Sequence, residues 1–225
     1  MSITFEKLKK DEQIRAYIKA GNDALGVLGY TEHSFPHVFR TAKTAAALLK
    51  GLGFPDETAE LAKIAGLLHD IGNMMNRTIH ALMGAEIARS ILERHGMPYE
   101  DIGTICSAIG NHDEETGRPV NTVSAALILA DKSDVRRTRV RETDLDQILA
   151  DIHDRVNYAV KRSEIAVQRQ GSGGHVIQLN LDIDNNFCPV MDYFEIFISR
   201  MLMCRRAAAF LEADFELIIN NLKII

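Results

Sequence analysis

An apolar helix that ends in "GLLHDIGN", residues 66–73, leaves few ways to fold. Leu67, Leu68 and Ile71 are core residues by type, so they carry His69 and Asp70 toward the interior with them. A buried polar or charged group without a partner costs several kcal/mol. The pair therefore calls for further polar groups from distant parts of the chain, gathered at the end of this one helix.

Helical spacing surrounds that station. Residues 6–20 read as a charged helix that stops at Gly21. Pro36 marks a helix start, and 37–50 sets Val38, Ala42, Ala45, Ala46 and Leu49 on one face. Asp56 suits the N-cap of the next helix, which carries Leu61, Ile64, Ala65 and Leu68 and ends near Gly72. Further helices are predicted over 77–95, 99–110, 121–135 and 143–167. The texture then changes. "QGSGG" at 170–174 is a flexible loop by composition, and "HVIQLNLDID" alternates apolar and polar residues as a half-buried strand does. A helix over 188–213 turns Phe194, Phe197, Ile198, Met201 and Leu202 toward a core or a dimer surface, and "FELIINNLKI" closes the chain as a second strand over 215–224. The expected fold is mainly α: a helical domain over 1–168 and a small β-α-β appendage over 175–225, its two strands parallel.

Groups able to join His69 and Asp70 recur at the helix ends: His37, His80, His112 and Asp131. Neutral imidazole and carboxylate are ligands for Mn, Fe and Zn, or through oxygen for Mg. Six such groups exceed one tetrahedral zinc site. They suit two divalent ions that share a carboxylate, and Asp70, adjacent to His69, is the natural bridge. Taken singly, each has an ordinary reading. A histidine near a helix end is commonly a cap or a satisfied core group, and Asp131 beside Lys132 is commonly half of an ion pair. His33 precedes His37 by four residues, but Pro36 starts the helix between them, so His33 reads as a group on a pocket rim. His95 reads as a helix C-terminal residue, and His153 and His175 as solvent-facing.

Bulk properties narrow the class. The 225 residues are 46% apolar and 25% charged, as in an ordinary globular chain. A net charge of -5 and a pI near 5.9 argue against broad nucleic-acid binding, which wants a basic face. The start, "MSITFEKLKKDEQ", has no apolar core of a secretory signal, and no run approaches the roughly 20 apolar residues of a membrane span. Cys106, Cys188 and Cys204 are widely spaced and read as free thiols, so a soluble cytoplasmic protein is expected.

The ordered set resembles the HD-domain superfamily of metal-dependent phosphohydrolases, whose signature is H…HD…D in a helical fold. "HVFR" at 37–40 looks like the first ligand with its arginine, "LLHDIGN" like the HD station, and "LADKSD" at 129–134 like the last aspartate. "IHALMGA" at 79–85 and "IGNHDEETG" at 109–117 resemble the extra histidines of the binuclear branch, including its HD-GYP relatives. The resemblance covers about residues 30–140 and leaves the tail outside the site. It implies two divalent ions, Mn or Fe foremost with Mg or Zn as alternatives, held by His37, His69, Asp70, His80, His112 and Asp131. It also implies hydrolysis of a small phosphoester or nucleotide, with Asp70 at the centre of the chemistry. Lys132 and Arg77 would contact the phosphate. The run "KSDVRRTRVRE" at 132–142 reads either as a solvated helix end or, because it directly follows a ligand, as cations of which Lys132 and one or two of Arg136 and Arg137 face an anionic substrate. Asn73 stands where HD-GYP proteins carry lysine, Asn111–His112 where they carry a histidine pair, and "TGRP" near the place of GYP. Those departures imply two ions rather than three. Two other functions fit the same ligands: a di-iron oxygenase, recognised by a redox-active metal pair, and a non-catalytic sensing module, recognised by nucleotide binding without turnover.

Overall fold

The computed structural model describes residues 3–171 and 173–225. Among them the chain forms ten α-helices, two 3-10 turns and one four-stranded sheet. The first part runs α1 (Phe5–Leu8), α2 (Glu12–Val27), α3 (Phe35–Gly51), α4 (Asp56–Leu68), α5 (His80–Arg94), α6 (Tyr99–Gly110) and α7 (Thr122–Lys132). Then follow α8 (Leu145–Ala150), α9 (Ile152–Ala159), β1 (Val160–Arg169), β2 (His175–Ile183), α10 (Val190–Phe210), β3 (Asp214–Ile219) and β4 (Leu222–Lys223).

Helix α7 is the axis of the fold. Every residue from Val123 to Ala130 is buried, so it is apolar all round, as a helix enclosed by others must be. It packs against α3, α4, α6 and α10. Asn121 caps it by accepting from Ser124 N–H while the Ser124 hydroxyl accepts from Asn121 N–H, a reciprocal capping box. With its start fixed, the last turn delivers Asp131 and Lys132 to a set place.

Small residues draw the helices close. A Cβ on Gly66 would stand 2.6 Å from Ala42 Cα, so α4 can lie against α3 only with glycine there. A Cβ on Gly72 would meet the His80 carbonyl oxygen at 2.0 Å, which seats the 3-10 turn Ile71–Met74 on the first turn of α5. Gly21 does not end a helix as expected. It lies inside α2, where a Cβ would come within 3.1 Å of Met74 N, so its role is close approach to that same turn.

The helix expected over 143–167 is instead α8, α9 and then a strand. β1 pairs antiparallel with β2, from Val160 opposite Ile183 to Arg169 opposite His175. Tertiary pairing overrode a charged, helix-favouring composition; the alternation of Ile165 and Val167 was the local sign of a strand. The boundary expected at 168 thus falls within the hairpin, and one apolar core runs from Phe5 through α7 to Ile219. β2 and β3 are parallel neighbours joined through α10, as expected. The last strand is broken, however. Asn220 and Asn221 adopt φ of 50° and 66°, and this turn folds β4 back on β3.

Gly72→Ala is expected to destabilise the fold by about 3 kcal/mol or more, because backbone on both sides must move. Gly103→Ala is the contrast: it is exposed in α6 with nothing near its Cβ position, and should stabilise by up to about 1 kcal/mol. Denaturant unfolding of both variants checks this; equal effects would contradict the packing account.

Candidate metal centre

Five helix ends converge on one point. His37 lies in the first turn of α3, whose start is set by Pro36. His69 follows the last residue of α4, and Asp70 opens the 3-10 turn. His80 begins α5, His112 follows the end of α6, and Asp131 lies in the last turn of α7. All four histidines are buried. The structure therefore brings the six expected residues together.

Each imidazole is held by its Nδ1. His69 Nδ1–H donates to the Gly66 carbonyl at 2.9 Å, His80 Nδ1–H to Arg77 at 2.8 Å and His112 Nδ1–H to Ile109 at 2.6 Å. His37 Nδ1–H donates to Asp134 Oδ2 at 2.8 Å. A carbonyl can only accept, so these bonds fix the tautomer and leave a lone pair on each Nε2 of the neutral ring. The Nε2 atoms of His37 and His69 then face each other at 3.2 Å, and those of His80 and His112 also at 3.2 Å. Two lone pairs at that distance repel unless a cation, metal or proton, lies between them.

Asp70 sits between the two pairs. Its Oδ2 is 3.4 Å from His37 Nε2 and 3.2 Å from His69 Nε2, while its Oδ1 is 3.8 Å from His80 Nε2. Asn73 Nδ2 donates to that Oδ1 at 2.8 Å and steadies it. Asp131 Oδ1 lies 3.3 Å from His37 Nε2 and 3.6 Å from His69 Nε2. Three triplets place ligand atoms within 4.8 Å of one another: His37–His69–Asp70, His69–His112–Asp131 and Asp70–His80–His112. The donor set fits divalent metal, with imidazole nitrogens and carboxylate oxygens turned inward and every ring oriented from behind.

Sequence reasoning missed Asp134. It is buried, accepts from His37 Nδ1–H and Arg136 Nε–H, and pairs with Arg40 Nε at 3.1 Å. Burial raises its pKa, but His37 and the arginines outweigh that and hold it well below the usual carboxylate range. A carboxylate behind a ligand histidine raises the basicity of the ring. The only sequence sign was its place three residues after Asp131, at the same end of α7.

A pocket of about 400 Å³ opens onto the centre, lined by His33, Arg77, Lys132, Arg139 and the candidate ligands Asp70, His80, His112 and Asp131. A more open groove of about 550 Å³ between α3 and β1 holds none of the six. Lys132 Nζ stands 2.7 Å from Asp131 Oδ2, and Arg77 rests on the Tyr30 ring at 5.3 Å. His33 lines the pocket edge-on to the His37 ring, as a rim group does. Arg136 and Arg137 do not face the pocket as expected. Arg136 is committed to Asp134, and Arg137 stacks on Tyr158 and Phe187; the buried Arg139 takes the place instead. The tail is not outside the site either, since Phe197 and Arg200 of α10 line the same pocket.

The two histidine pairs differ electrically. Burial opposes charge on His37, but Asp131, Asp134 and Asp70 overcome it and raise its pKa to about 9. His69 is raised to about 10 by Asp70 and Asp131 against the same burial. Burial wins at His80 and His112, which are lowered. Imidazole in an unfolded chain titrates near 6.5. Stability from the raised pair is therefore complete below about 6.5 and is lost as pH climbs through about 9–10; that from the lowered pair is present above about 6.5 and lost below it. Metal-free protein should melt at progressively lower temperature from about pH 7 to 10. Mn²⁺ uptake at pH 7 should release protons, because the metal takes the place of those on His37 and His69. Uptake without proton release in an unbuffered indicator assay would contradict this arrangement.

Comparison with known proteins agrees with this geometry. The HD domain family matches residues 35–159. An uncharacterized protein of Methanocaldococcus jannaschii is 28% identical over 72% of this chain and 70% of its own. Ribonuclease Y of Enterococcus faecalis is 29% identical over 64% of this chain, and that of Aliarcobacter butzleri 28% over 59%. Those matches span only 30% and 24% of the two ribonucleases. A solved structure described as a predicted HD superfamily hydrolase, from an uncultured Thermotogales bacterium, aligns with 58% of this chain and 73% of its own. The two are 24% identical, with a TM-score of 0.44. No helix among the described residues is long and apolar enough to cross a membrane. With the family match covering more than half of the chain and the six residues of its H, HD and D stations gathered at one point, the protein belongs to the HD domain family.

Proposed function

We propose that this protein is a metal-dependent phosphohydrolase for a small phosphoester or nucleotide, with two divalent ions held by His37, His69, Asp70, His80, His112 and Asp131. The placing of Asp70 carries the reading: one carboxylate oxygen faces the His37–His69 pair and the other faces His80. A carboxylate so placed is suited to be shared by two ions. Mn or Fe suits the mixed nitrogen and oxygen donors best, with Mg or Zn as alternatives.

Bound there, two divalent ions supply a water of lowered pKa and charge to stabilise phosphoryl oxygens. The chain's own residues do the rest. Asp131 Oδ2 and Lys132 Nζ form an ion pair at the pocket floor, so the ammonium is fixed where a phosphoryl oxygen would approach. Arg77, braced by Tyr30 and by Asn73 Oδ1 at 3.4 Å, offers a second cation nearer the surface. The pocket volume of about 400 Å³ suits a small ligand rather than a polymer groove. A ribonuclease breaks a phosphoester bond, so the relatives of that name support this class of bond, while the net charge of -5 disfavours a broad RNA surface.

Asp70→Ala should lower metal content to one or zero per chain and abolish phosphate release from a panel of p-nitrophenyl phosphates and nucleotides. Asp70→Asn keeps the size but not the charge and should lose most activity. His33→Ala should keep both metals with a modest change in rate. Two metals and near-normal turnover in Asp70→Ala would overturn the reading. So would a di-iron EPR signal with oxygen uptake and no phosphate release.

A further inference from the structure

Arg200 has no task in the chemistry above, yet it lines the pocket. It comes from α10, beyond the segment 35–159 that the family match covers. Its guanidinium carbon lies 4.3 Å from the ring of the buried Phe197, so an aromatic face braces it. Its Nε stands 2.5 Å from Glu114 Oε1, but in a direction that forms no hydrogen bond, and that buried Nε has no hydrogen-bond partner among the described residues. Glu114 Oε1 is in turn 3.8 Å from Lys132 Nζ, which pairs with Asp131. Charge thus alternates outward from the centre through Asp131, Lys132, Glu114 and Arg200. Arg200 is one ion pair farther out than Lys132.

A guanidinium is suited to grip an oxyanion with two parallel N–H bonds. Glu114 ties the loop after α6 to α10 through its ion pair with Arg200 Nε and a 3.4 Å hydrogen bond from Ser199 Oγ. The two Nη groups of Arg200 hydrogen-bond to none of the described residues and can take another acceptor.

We propose that Arg200 is an anion-recognition residue that contacts a second anionic group of the substrate, beyond the phosphoryl group at the metal centre. The substrate class is then a compound with two neighbouring anionic groups, a diphosphate or a phosphorylated acid. The proposal rests on the phosphohydrolase reading. Calorimetry of the metal-loaded full-length protein with inorganic phosphate and with methylenediphosphonate separates the two. Arg200→Ala should weaken methylenediphosphonate about tenfold and inorganic phosphate by less than about threefold, with metal content and melting temperature unchanged. Arg200→Lys should recover part of the loss. A lowered melting temperature with both probes weakened alike, or neither, would show a fastening role and overturn the proposal. Arg200-dependent binding of the diphosphonate without hydrolysis of any phosphoester would leave this proposal standing and sink the phosphohydrolase reading. Hydrolysis of phosphoesters with no change in either affinity in Arg200→Ala would do the reverse.

Discussion

Two pairs of imidazole nitrogens face each other at 3.2 Å with a carboxylate between them, and the rest of the structure is arranged to hold them there. Like-oriented lone pairs this close, in a buried place, are tolerable only around positive charge. The fold cannot relax them apart, because every Nδ1–H is committed to a backbone carbonyl or to Asp134. The backbone is equally committed. Gly66 seats α4 on α3, and Gly72 seats the turn after Asp70 on α5, with no room for one extra carbon. Dense packing of this kind converts a requirement for cations into a property of the whole bundle.

Behind the ligands lies a layer of paired charge. Asp134 would be costly alone in the interior, but it is matched by His37, Arg40, Arg136 and Arg139. Breaking a buried cluster of this kind usually costs more than the cluster contributes. Its value here is orientation. It fixes His37 from the side that the metal would not occupy, and the same arginine-rich turn carries Arg139 into the pocket wall. The C-terminal element joins this layer through α10, which packs on α7, so the sheet and the helical bundle share both a core and a pocket.

Much of the site was legible because its residues are constrained by chemistry as well as by position. A histidine and an aspartate carried inward by Leu67, Leu68 and Ile71 must find partners, and the helix ends at His37, His80, His112 and Asp131 were the available ones. The buried helix α7 and the parallel β2–β3 pair were legible from apolar runs and from alternation. What was hidden depended on distant contacts. β1 looks helical by composition and becomes a strand only because β2 lies beside it. Gly21 reads as a helix stop until the turn at Met74 is seen against it. Arg136, Arg137 and Arg139 are near neighbours in sequence, and only the turn Arg137–Arg139 decides which of them enters the pocket. Asp134 is marked only by its place three residues after Asp131, and Arg200 carries no local signal that separates it from ordinary surface charge.

Everything proposed for the site turns on whether two metal ions share Asp70. Anomalous X-ray diffraction from crystals grown with Mn²⁺ tests it most directly. Two peaks about 3.5–4 Å apart are expected, one against the His37–His69 pair and one against the His80–His112 pair, each contacted by an oxygen of Asp70. A single peak, or two peaks of which only one touches Asp70, would contradict it.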